Sequence, residues 1–141
     1  MTPHDETFLR RAIALAQASR DEGQAPYGSL LVGPDGRVLA EDHNTVLADG
    51  DITAHPEQKL ARWAARELDR ATVSATTMYT SCQPCPMCTG AIDRSGLGRV
   101  VYALSARQFA ERYPDSVARS VPQDGPALYD EAVAVLDVYE R

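Results

Sequence analysis

The sequence has few basic residues and contains a single lysine, Lys59. Its 141 residues include 14 Lys and Arg against 20 Asp and Glu, which gives a formal net charge of −6. Proteins that hold a long nucleic acid neutralise its phosphates with clustered Lys and Arg side chains. The charge balance therefore disfavours a long nucleic acid as the main partner, and we interpret the single lysine as coding bias.

The chain also lacks long apolar runs and has only three cysteines. No apolar stretch approaches the roughly 20 residues that a membrane-spanning helix needs. Residues 1–6 have neither a basic flank nor an apolar signal core. Three cysteines cannot all pair, and the spacing of Cys85 and Cys88 suits a metal or redox site better than a disulfide. We therefore expect a reduced, cytoplasmic protein without a membrane partner, folded as one domain over residues 1–141.

Helical and strand patterns alternate along the chain. The predicted helices cover residues 5–20, 56–68, 85–94, 106–113 and 126–139. The predicted strands cover residues 29–32, 38–41, 76–80 and 99–103, the first two joined by the turn residues 33–36. This alternation predicts an α/β fold in which helices cover a sheet.

The helix that opens at His55-Pro56-Glu57 places one carboxylate among apolar residues. At 100° per residue, Glu57 falls in the middle of the apolar face, which is formed by Leu60, Ala61, Ala64, Ala65 and Leu68. A buried carboxylate is costly unless a partner or a chemical task compensates for its burial. The alternative is a first-turn glutamate that interacts with the helix dipole while its carboxylate reaches solvent. On this pattern alone, the solvent-exposed interpretation is preferred.

Cys85 and Cys88 lie at the start of a predicted helix, where the dipole stabilises thiolates. Redox pairs and structural zinc sites share this spacing, but a redox pair would not need His55 and Glu57 upstream. A structural zinc site usually takes four protein ligands, and His55, Cys85 and Cys88 supply only three. Cys82 is a possible fourth ligand, although its place at the end of a strand favours a buried small side chain. Three ligands leave one position for water, which is the catalytic arrangement.

These residues resemble the H-x-E…P-C-x-x-C signature of the zinc-dependent nucleoside and nucleobase deaminases, the cytidine and deoxycytidylate deaminase superfamily. Further segments look like those of its guanine deaminase and tRNA adenosine deaminase branch. They are Pro26-Tyr27-Gly28, His43-Asn44, Thr53-Ala54-His55, residues 78–92 and Arg99-Val100-Val101-Tyr102. The resemblance covers roughly residues 8–104.

The resemblance implies a three-layer α/β/α sandwich with a mixed sheet of about five strands. It implies that zinc is held by His55, Cys85 and Cys88. It also implies that Glu57, which is not a ligand, moves protons between water, a ring nitrogen and the departing amine.

The substrate contacts that the resemblance implies are spread over the chain. Asn44 would hydrogen-bond the substrate, and Tyr27 would form a pocket wall, next to Ala54 and Pro84. Taken alone, Asn44 would be a strand-end turn residue and Tyr27 part of the core. Members of the branch also use an acidic residue after the fourth strand and a C-terminal aromatic, sometimes from the partner of a homodimer, for which Asp115 and Tyr139 are the candidates.

The sequence departs from the family pattern at Pro56, where relatives commonly have Ala, and at Gln83, where many have Glu. Its last third matches poorly. There, Ala132, Val133, Leu136 and Tyr139 recur at helical spacing, which favours a lid or dimer contact over a small pocket.

The sequence leaves several functions open. The first is deamination of a free nucleobase or nucleoside, with guanine ahead of cytosine or cytidine. A tRNA adenosine deaminase is the alternative, disfavoured by the acidic charge balance and the lack of a basic tail. A structural zinc or interaction module is disfavoured by Glu57 and the missing fourth ligand. A non-catalytic deaminase fold is disfavoured by the intact His, Glu and Cys residues.

Overall fold

The computed structural model describes residues 1–116 and 119–139. The helices in these ranges are α1 (Pro3–Asp21), α2 (Val46–Asp49), α3 (Pro56–Glu67), α4 (Arg70–Ser74), α5 (Pro86–Ser95), α6 (Ala106–Arg112) and α7 (Tyr129–Asp137). The strands are β1 (Gly28–Val32), β2 (Val38–His43), β3 (Thr77–Cys82) and β4 (Arg99–Leu104). No helix in the described ranges combines the length and the apolar character needed to cross a membrane.

The four strands form one mixed sheet in the order β2-β1-β3-β4. Strand β1 runs antiparallel to both of its neighbours, whereas β3 and β4 are parallel. The expected count of about five strands is therefore one too high for the described residues. After β4 the chain enters α6 and then a stretch with Pro114, Pro122 and Pro126. Because proline cannot donate to a strand ladder, this stretch is poorly suited to extend the sheet.

Helices cover both faces of the sheet. One apolar cluster joins α1 to the first face and contains Leu9, Ala12, Leu30, Val32, Tyr79 and Val101. A second joins α3, α4 and α5 to the other face and contains Leu31, Leu60, Ala61, Ala64, Val73, Met78 and Ile92. Neighbouring strand residues point to opposite faces, so Leu30 and Leu31 of β1 belong to different clusters. The predicted three-layer α/β/α sandwich is confirmed.

Most predicted elements agree with the observed ones to within a few residues. The last helix is shorter than the predicted range 126–139, because Leu128 at its start has a left-handed φ of 58°. The short helices α2 and α4 were not predicted, since four or five residues carry too little apolar periodicity. Ala65 of α3 is exposed, so the buried stripe of this helix is narrower than predicted.

The buried carboxylate of Asp5 links helix α1 to the sheet. Asp5 accepts a hydrogen bond from the hydroxyl of Tyr79 at 2.7 Å and from Nη1 and Nη2 of Arg99 at 3.0 and 3.1 Å. The Arg99 guanidinium, and after it the Tyr79 hydroxyl, hold the pKa of Asp5 well below its usual range. Burial and the hydrogen bond to Asp5 raise the pKa of Tyr79 to about 12. The N-terminal helix is thus tied to β3 and β4 by a charged contact.

Gly28 allows α1 to approach β1 closely. A Cβ atom at this position would lie 2.5 Å from Cβ of Leu15 and 2.6 Å from the backbone oxygen of Ala12. Both distances are shorter than a van der Waals contact, so a side chain here would force the helix away from the strand.

Candidate active site

Two helices begin at the same place in the fold. His55 is the N-cap of α3 and Cys85 is the N-cap of α5, and a proline follows each of them at the first helical position. Neither residue uses its side chain to cap its helix. The imidazole and the thiol are therefore available for other contacts, beside the partial positive charge of two helix N-termini.

Three ligand-type side chains meet at these helix starts. Nδ1 of His55 lies 3.7 Å from Sγ of Cys85 and 3.5 Å from Sγ of Cys88. The candidate ligand atoms of the three residues all lie within 4.8 Å of one another. Tetrahedral zinc with ordinary Zn–N and Zn–S bond lengths places such atoms roughly 3.6 Å apart. The distances therefore fit a zinc ion with a single open position.

The described residues place no fourth His, Cys or carboxylate within this cluster. Cys82, the possible fourth ligand, lies at the end of β3 and lines the adjoining cavity instead. Burial raises the pKa of the Cys88 thiol and lowers the pKa of His55. Without a cation the pocket thus favours neutral groups, and a divalent ion would reverse that preference for the thiols.

Glu57 lies in the first turn of α3, two residues after His55. Its side chain is buried, with 6% of the residue exposed, and its Oε1 lies 3.3 Å from the hydroxyl of Ser29 on β1. That hydroxyl also lies 2.8 Å from Oγ1 of Thr80 on β3. Burial raises the pKa of Glu57. The interpretation of Glu57 as a solvent-exposed glutamate is wrong, because its side chain is buried against β1 and borders the cavity instead of reaching bulk solvent.

A cavity of about 280 Å³ opens beside these residues. It is lined by Tyr27, Asn44, His55, Pro56, Glu57, Cys82, Gln83, Pro84, Cys85, Pro86, Ala106 and Phe109. Of the predicted site residues, the cavity brings together Tyr27, Asn44, Pro84, Glu57 and two of the three candidate ligands. Cys88, the third, is buried behind them. The walls are mainly apolar with a few polar groups, as is usual for small-molecule sites.

Asn44 presents one polar group to the cavity. The residue is only 3% exposed, and its backbone N–H donates to the carbonyl of Tyr27 at 3.0 Å. Its side-chain Oδ1 accepts the N–H of Val46 at 3.0 Å, which fixes the orientation of the amide. No acceptor within residues 1–116 and 119–139 pairs with Nδ2. Asn44 is thus a turn residue that also lines the cavity.

Three other predicted contacts lie outside the cavity lining. Ala54 is buried next to His55, and its N–H donates to the carbonyl of Asp51. Asp115 is exposed in the turn after α6, and Tyr139 is 69% exposed beyond the end of α7. A role in substrate binding stays a prediction for each of them.

Two cavity residues of α6, Ala106 and Phe109, were missed by the sequence analysis. The ring of Phe109 on α6 lies 6.5 Å from that of Tyr27 and 5.2 Å from that of Tyr113. Oε1 of Gln83 accepts the N–H of Ala106 at 2.8 Å and so ties the end of β3 to the start of α6. The only signal in the sequence was an aromatic residue in the middle of an otherwise polar helix.

Comparison with known proteins agrees with this geometry. Residues 2–104 match the family described as the cytidine and deoxycytidylate deaminase zinc-binding region. A probable cytosine deaminase of Schizosaccharomyces pombe is 39% identical over 74% of this chain and 63% of its own length. A tRNA-specific adenosine deaminase of Buchnera aphidicola is 33% identical over 72% of this chain and 66% of its own length. The match thus spans a little under two thirds of these two relatives.

One solved structure agrees with the fold over nearly the whole chain. The X-ray structure of the guanine deaminase of Bacillus subtilis superposes with a TM-score of 0.75 and 32% identity, covering 97% of this chain and 93% of that one. The residues matched by the family include His55, Glu57, Cys85 and Cys88, which the fold brings together beside one cavity. The chain therefore belongs to the cytidine and deoxycytidylate deaminase family.

Proposed function

We propose that this protein hydrolytically deaminates a free nucleobase or nucleoside and releases ammonia, with guanine as the first candidate substrate and cytosine or cytidine next. One observation carries the proposal. A buried carboxylate, Glu57, lies beside a cluster of three zinc-type ligands at the wall of a small cavity. We propose further that residues 1–141 act as one domain in the cytoplasm, where cysteines stay reduced.

His55, Cys85 and Cys88 are the residues that would hold zinc, as the spacing of their ligand atoms supports. When bound in such a site, zinc acidifies water and supplies hydroxide at neutral pH. A structural zinc module usually has four protein ligands, so the three-ligand cluster favours a catalytic site.

Glu57 is the proton carrier in this proposal. Its carboxylate accepts a proton from water, and the oxygen of that water forms a bond to the ring carbon that bears the amino group. Glu57 passes this proton to the ring nitrogen beside that carbon and then carries the proton of the new hydroxyl group to the amine. The C–N bond breaks, ammonia leaves, and a carbonyl remains next to a ring N–H. Burial limits competing hydration, and the Ser29 hydroxyl at 3.3 Å helps to orient the carboxylate.

The rest of the cavity suits a flat, aromatic substrate. Asn44 offers its Nδ2 as a donor to a ring nitrogen or carbonyl, and Tyr27 and Phe109 supply rings for packing against a base. The likeness to the Bacillus guanine deaminase over 97% of this chain supports guanine as the first candidate. The cytosine deaminase relative supports cytosine as the next.

We propose that the C-terminal segment contributes to a homodimer and to closing the site. Helix α7 and its flanks expose apolar residues, among them Tyr129, Val135, Val138 and Tyr139. Soluble chains rarely expose so many apolar side chains in one segment without an interaction that covers them. The contacts predicted for Asp115 and Tyr139 would then form across the dimer.

A panel of substrates tests the proposed function. Purified, zinc-loaded protein is incubated with guanine, cytosine, cytidine, adenine, guanosine and a tRNA anticodon stem-loop, and ammonia or inosine is measured. We expect turnover of a free base or nucleoside, and none by Glu57→Gln. Inosine in the stem-loop with no turnover of any free base would assign the chain to RNA editing, as in its tRNA-specific relatives. No turnover of any substrate would refute the proposal.

A further inference from the structure

Lys59, the one lysine of the chain, is held in the interior of the fold. Its side chain is 18% exposed. Its Nζ lies 2.9 Å from Oδ1 of Asp42, 2.9 Å from the carbonyl of His43 and 2.8 Å from Oγ1 of Thr45. An ammonium group has three N–H donors, so each of them has one acceptor here. If coding bias alone explained this lysine, we would expect it on the surface with its ammonium group in water. Instead, each N–H donor of the ammonium group has an acceptor in the protein.

The three acceptors flank a single residue. Asp42 and His43 precede Asn44 and Thr45 follows it, and Asn44 lines the cavity. Other contacts also hold this segment. Asp42 and His43 pair with Ser29 and Gly28 of β1, the N–H of Asn44 donates to the carbonyl of Tyr27, and the N–H of Thr45 donates to the carbonyl of Ala54. The Asn44 carbonyl accepts from the Ser19 hydroxyl, Nε2 of His43 lies 3.2 Å from the Glu22 carboxylate, and the Thr45 hydroxyl donates to Asp49. Lys59 adds the contact that comes from α3.

Lys59 lies one turn after the start of α3, and its backbone N–H donates to the carbonyl of His55 at 3.1 Å. The same helix carries Glu57. The lysine side chain therefore runs from the helix that holds the metal and proton-transfer residues to the loop that holds Asn44. It is a direct polar link between these two parts of the cavity.

We propose that Lys59 is a positioning residue that sets the distance between Asn44 and the His55–Glu57 end of the cavity. The inference rests on the proposed function, since it gives Asn44 a substrate to hold. Lys59 itself is not among the residues that line the cavity. It acts through the segment around Asn44, where it binds two acceptors at the end of β2 and one in the loop that follows.

The geometry explains why the residue is lysine in a chain that otherwise uses arginine. A compact ammonium presents its donors in a tetrahedral arrangement and can reach acceptors on three different groups. A guanidinium is planar, and its donors form a fork that suits a single carboxylate. Arginine at this position would keep the charge and the pairing with Asp42 but could not serve His43 and Thr45 in the same way.

The test combines Lys59→Met with Asn44→Ala in a double-mutant cycle on the zinc-loaded enzyme. Lys59→Met keeps the length of the side chain and removes all three donors. We expect kcat/KM to fall about 10- to 100-fold, the size of effect that a small misplacement of a binding group produces. The loss should appear mainly in KM, because Asn44 holds the substrate, while zinc content stays unchanged.

The cycle separates positioning from general support of the fold. If Lys59 acts through Asn44, Lys59→Met costs little further activity in the Asn44→Ala background. Arg66→Met, at an exposed position on the same helix, is the matched control and should match the wild type. Lys59→Arg should not restore activity. Thr45→Val, which removes one acceptor, should show the same KM effect at smaller size and serves if Lys59→Met does not fold.

Three results would overturn the inference in an active enzyme. The first is a kcat/KM of Lys59→Met within twofold of that of the Arg66→Met control. The second is an equal loss of kcat/KM when Lys59→Met is introduced into the wild type and into Asn44→Ala. The third is wild-type activity in Lys59→Arg. Loss of zinc from a folded Lys59→Met protein would also overturn it, because the residue would then support the metal site. A wild-type chain that deaminates nothing refutes the proposed function instead, and the inference falls with it.

Discussion

The hydroxyl of Ser29, on the central strand β1, lies 3.3 Å from Oε1 of Glu57 at the start of α3. The helix therefore presents its carboxylate to the middle of the sheet and not to its edge. Ser29 is fully buried, so this contact is made away from water. A carboxylate in such surroundings keeps one orientation, which proton transfer to a bound ring requires.

Replacing Glu57 by Gln should abolish most activity without unfolding the protein. The amide keeps the shape of the side chain and removes the base, so kcat should fall at least about 100-fold. Zinc content and thermal midpoint should stay close to those of the wild type. Glu67→Gln, at an exposed position of the same helix, is the control. Turnover by Glu57→Gln near the wild-type rate would contradict the proton-transfer role.

The purified protein should contain one zinc per chain. Replacing His55, Cys85 or Cys88 by Ala should lower the zinc content measured by elemental analysis, since each supplies one of three ligands. Cys82→Ala is the matched control, because this thiol lies outside the cluster and should be dispensable for the metal. Protein without zinc after zinc-replete expression, or equal loss in the Cys82 variant, would disprove the assignment.

Asp5→Asn should destabilise the fold by about 1–3 kcal/mol at pH 7, as measured by urea unfolding. Because the pKa of Asp5 is lowered in the folded state, its contribution is fully present above the unfolded pKa of about 4 and fades as the pH falls through the folded pKa. The difference between wild type and variant should therefore stay constant from pH 5 to about 8 and shrink in strong acid. Asp93→Asn, at an exposed site, should show neither effect. If the difference in unfolding free energy between wild type and Asp5→Asn grew as the pH fell, it would contradict the lowered pKa of Asp5.

Gly28→Ala should lower stability by about 1–3 kcal/mol, the usual cost of overpacking. The new Cβ would lie 2.5 Å from Cβ of Leu15, so α1 must move away from β1. Gly90→Ala, in the interior of α5, is the matched control. Its new Cβ meets only the end of the Arg94 side chain at 3.6 Å, and alanine favours a helix, so stability should rise by up to about 1 kcal/mol. Equal effects of the two changes would contradict the close packing of α1.

Deleting the residues from Asp130 onward should impair turnover while zinc content is retained, because the proposed role of this segment lies in covering the site. The activity of the full chain should be insensitive to moderate salt, since a free base offers no phosphates. Steady-state assays of the full chain and of the truncated chain, each run from low to moderate salt, check both expectations. A truncated chain of full activity, or a rate that collapses with salt, would contradict this prediction.

The cluster of candidate metal ligands and Glu57 has a signal that is mostly local in the sequence. The spacing of Cys85 and Cys88 indicated a metal or redox site, and the helical pattern put Glu57 on the apolar face, although the pattern alone favoured a solvent-exposed carboxylate. The resemblance to the deaminases was needed to expect His55, Glu57 and the two cysteines in one site. The sheet could be predicted for a similar reason: the residue pattern indicated the four strands that the described residues form, whereas the resemblance implied about five.

Contacts between distant elements could not be predicted in this way. The cavity wall at Phe109 depends on how α6 packs, and the hydrogen bond from the Ala106 N–H to Gln83 joins segments 23 residues apart. The same applies to Lys59, which the sequence analysis interpreted as coding bias. Only the fold shows that Asp42 and His43 at the end of β2, together with Thr45, supply three acceptors to its ammonium group.

Strand β1 is buried along its whole length and supplies side chains to both apolar clusters. Neither helical layer can therefore detach without exposing this strand, which makes separate melting of the two halves unfavourable. Its amide hydrogens should exchange only when the entire molecule opens, and their exchange rates should report global unfolding. Ser29, which contacts Glu57, belongs to this most protected part of the chain. The strand that orients the proposed proton carrier is therefore also expected to be the last part of the fold to open.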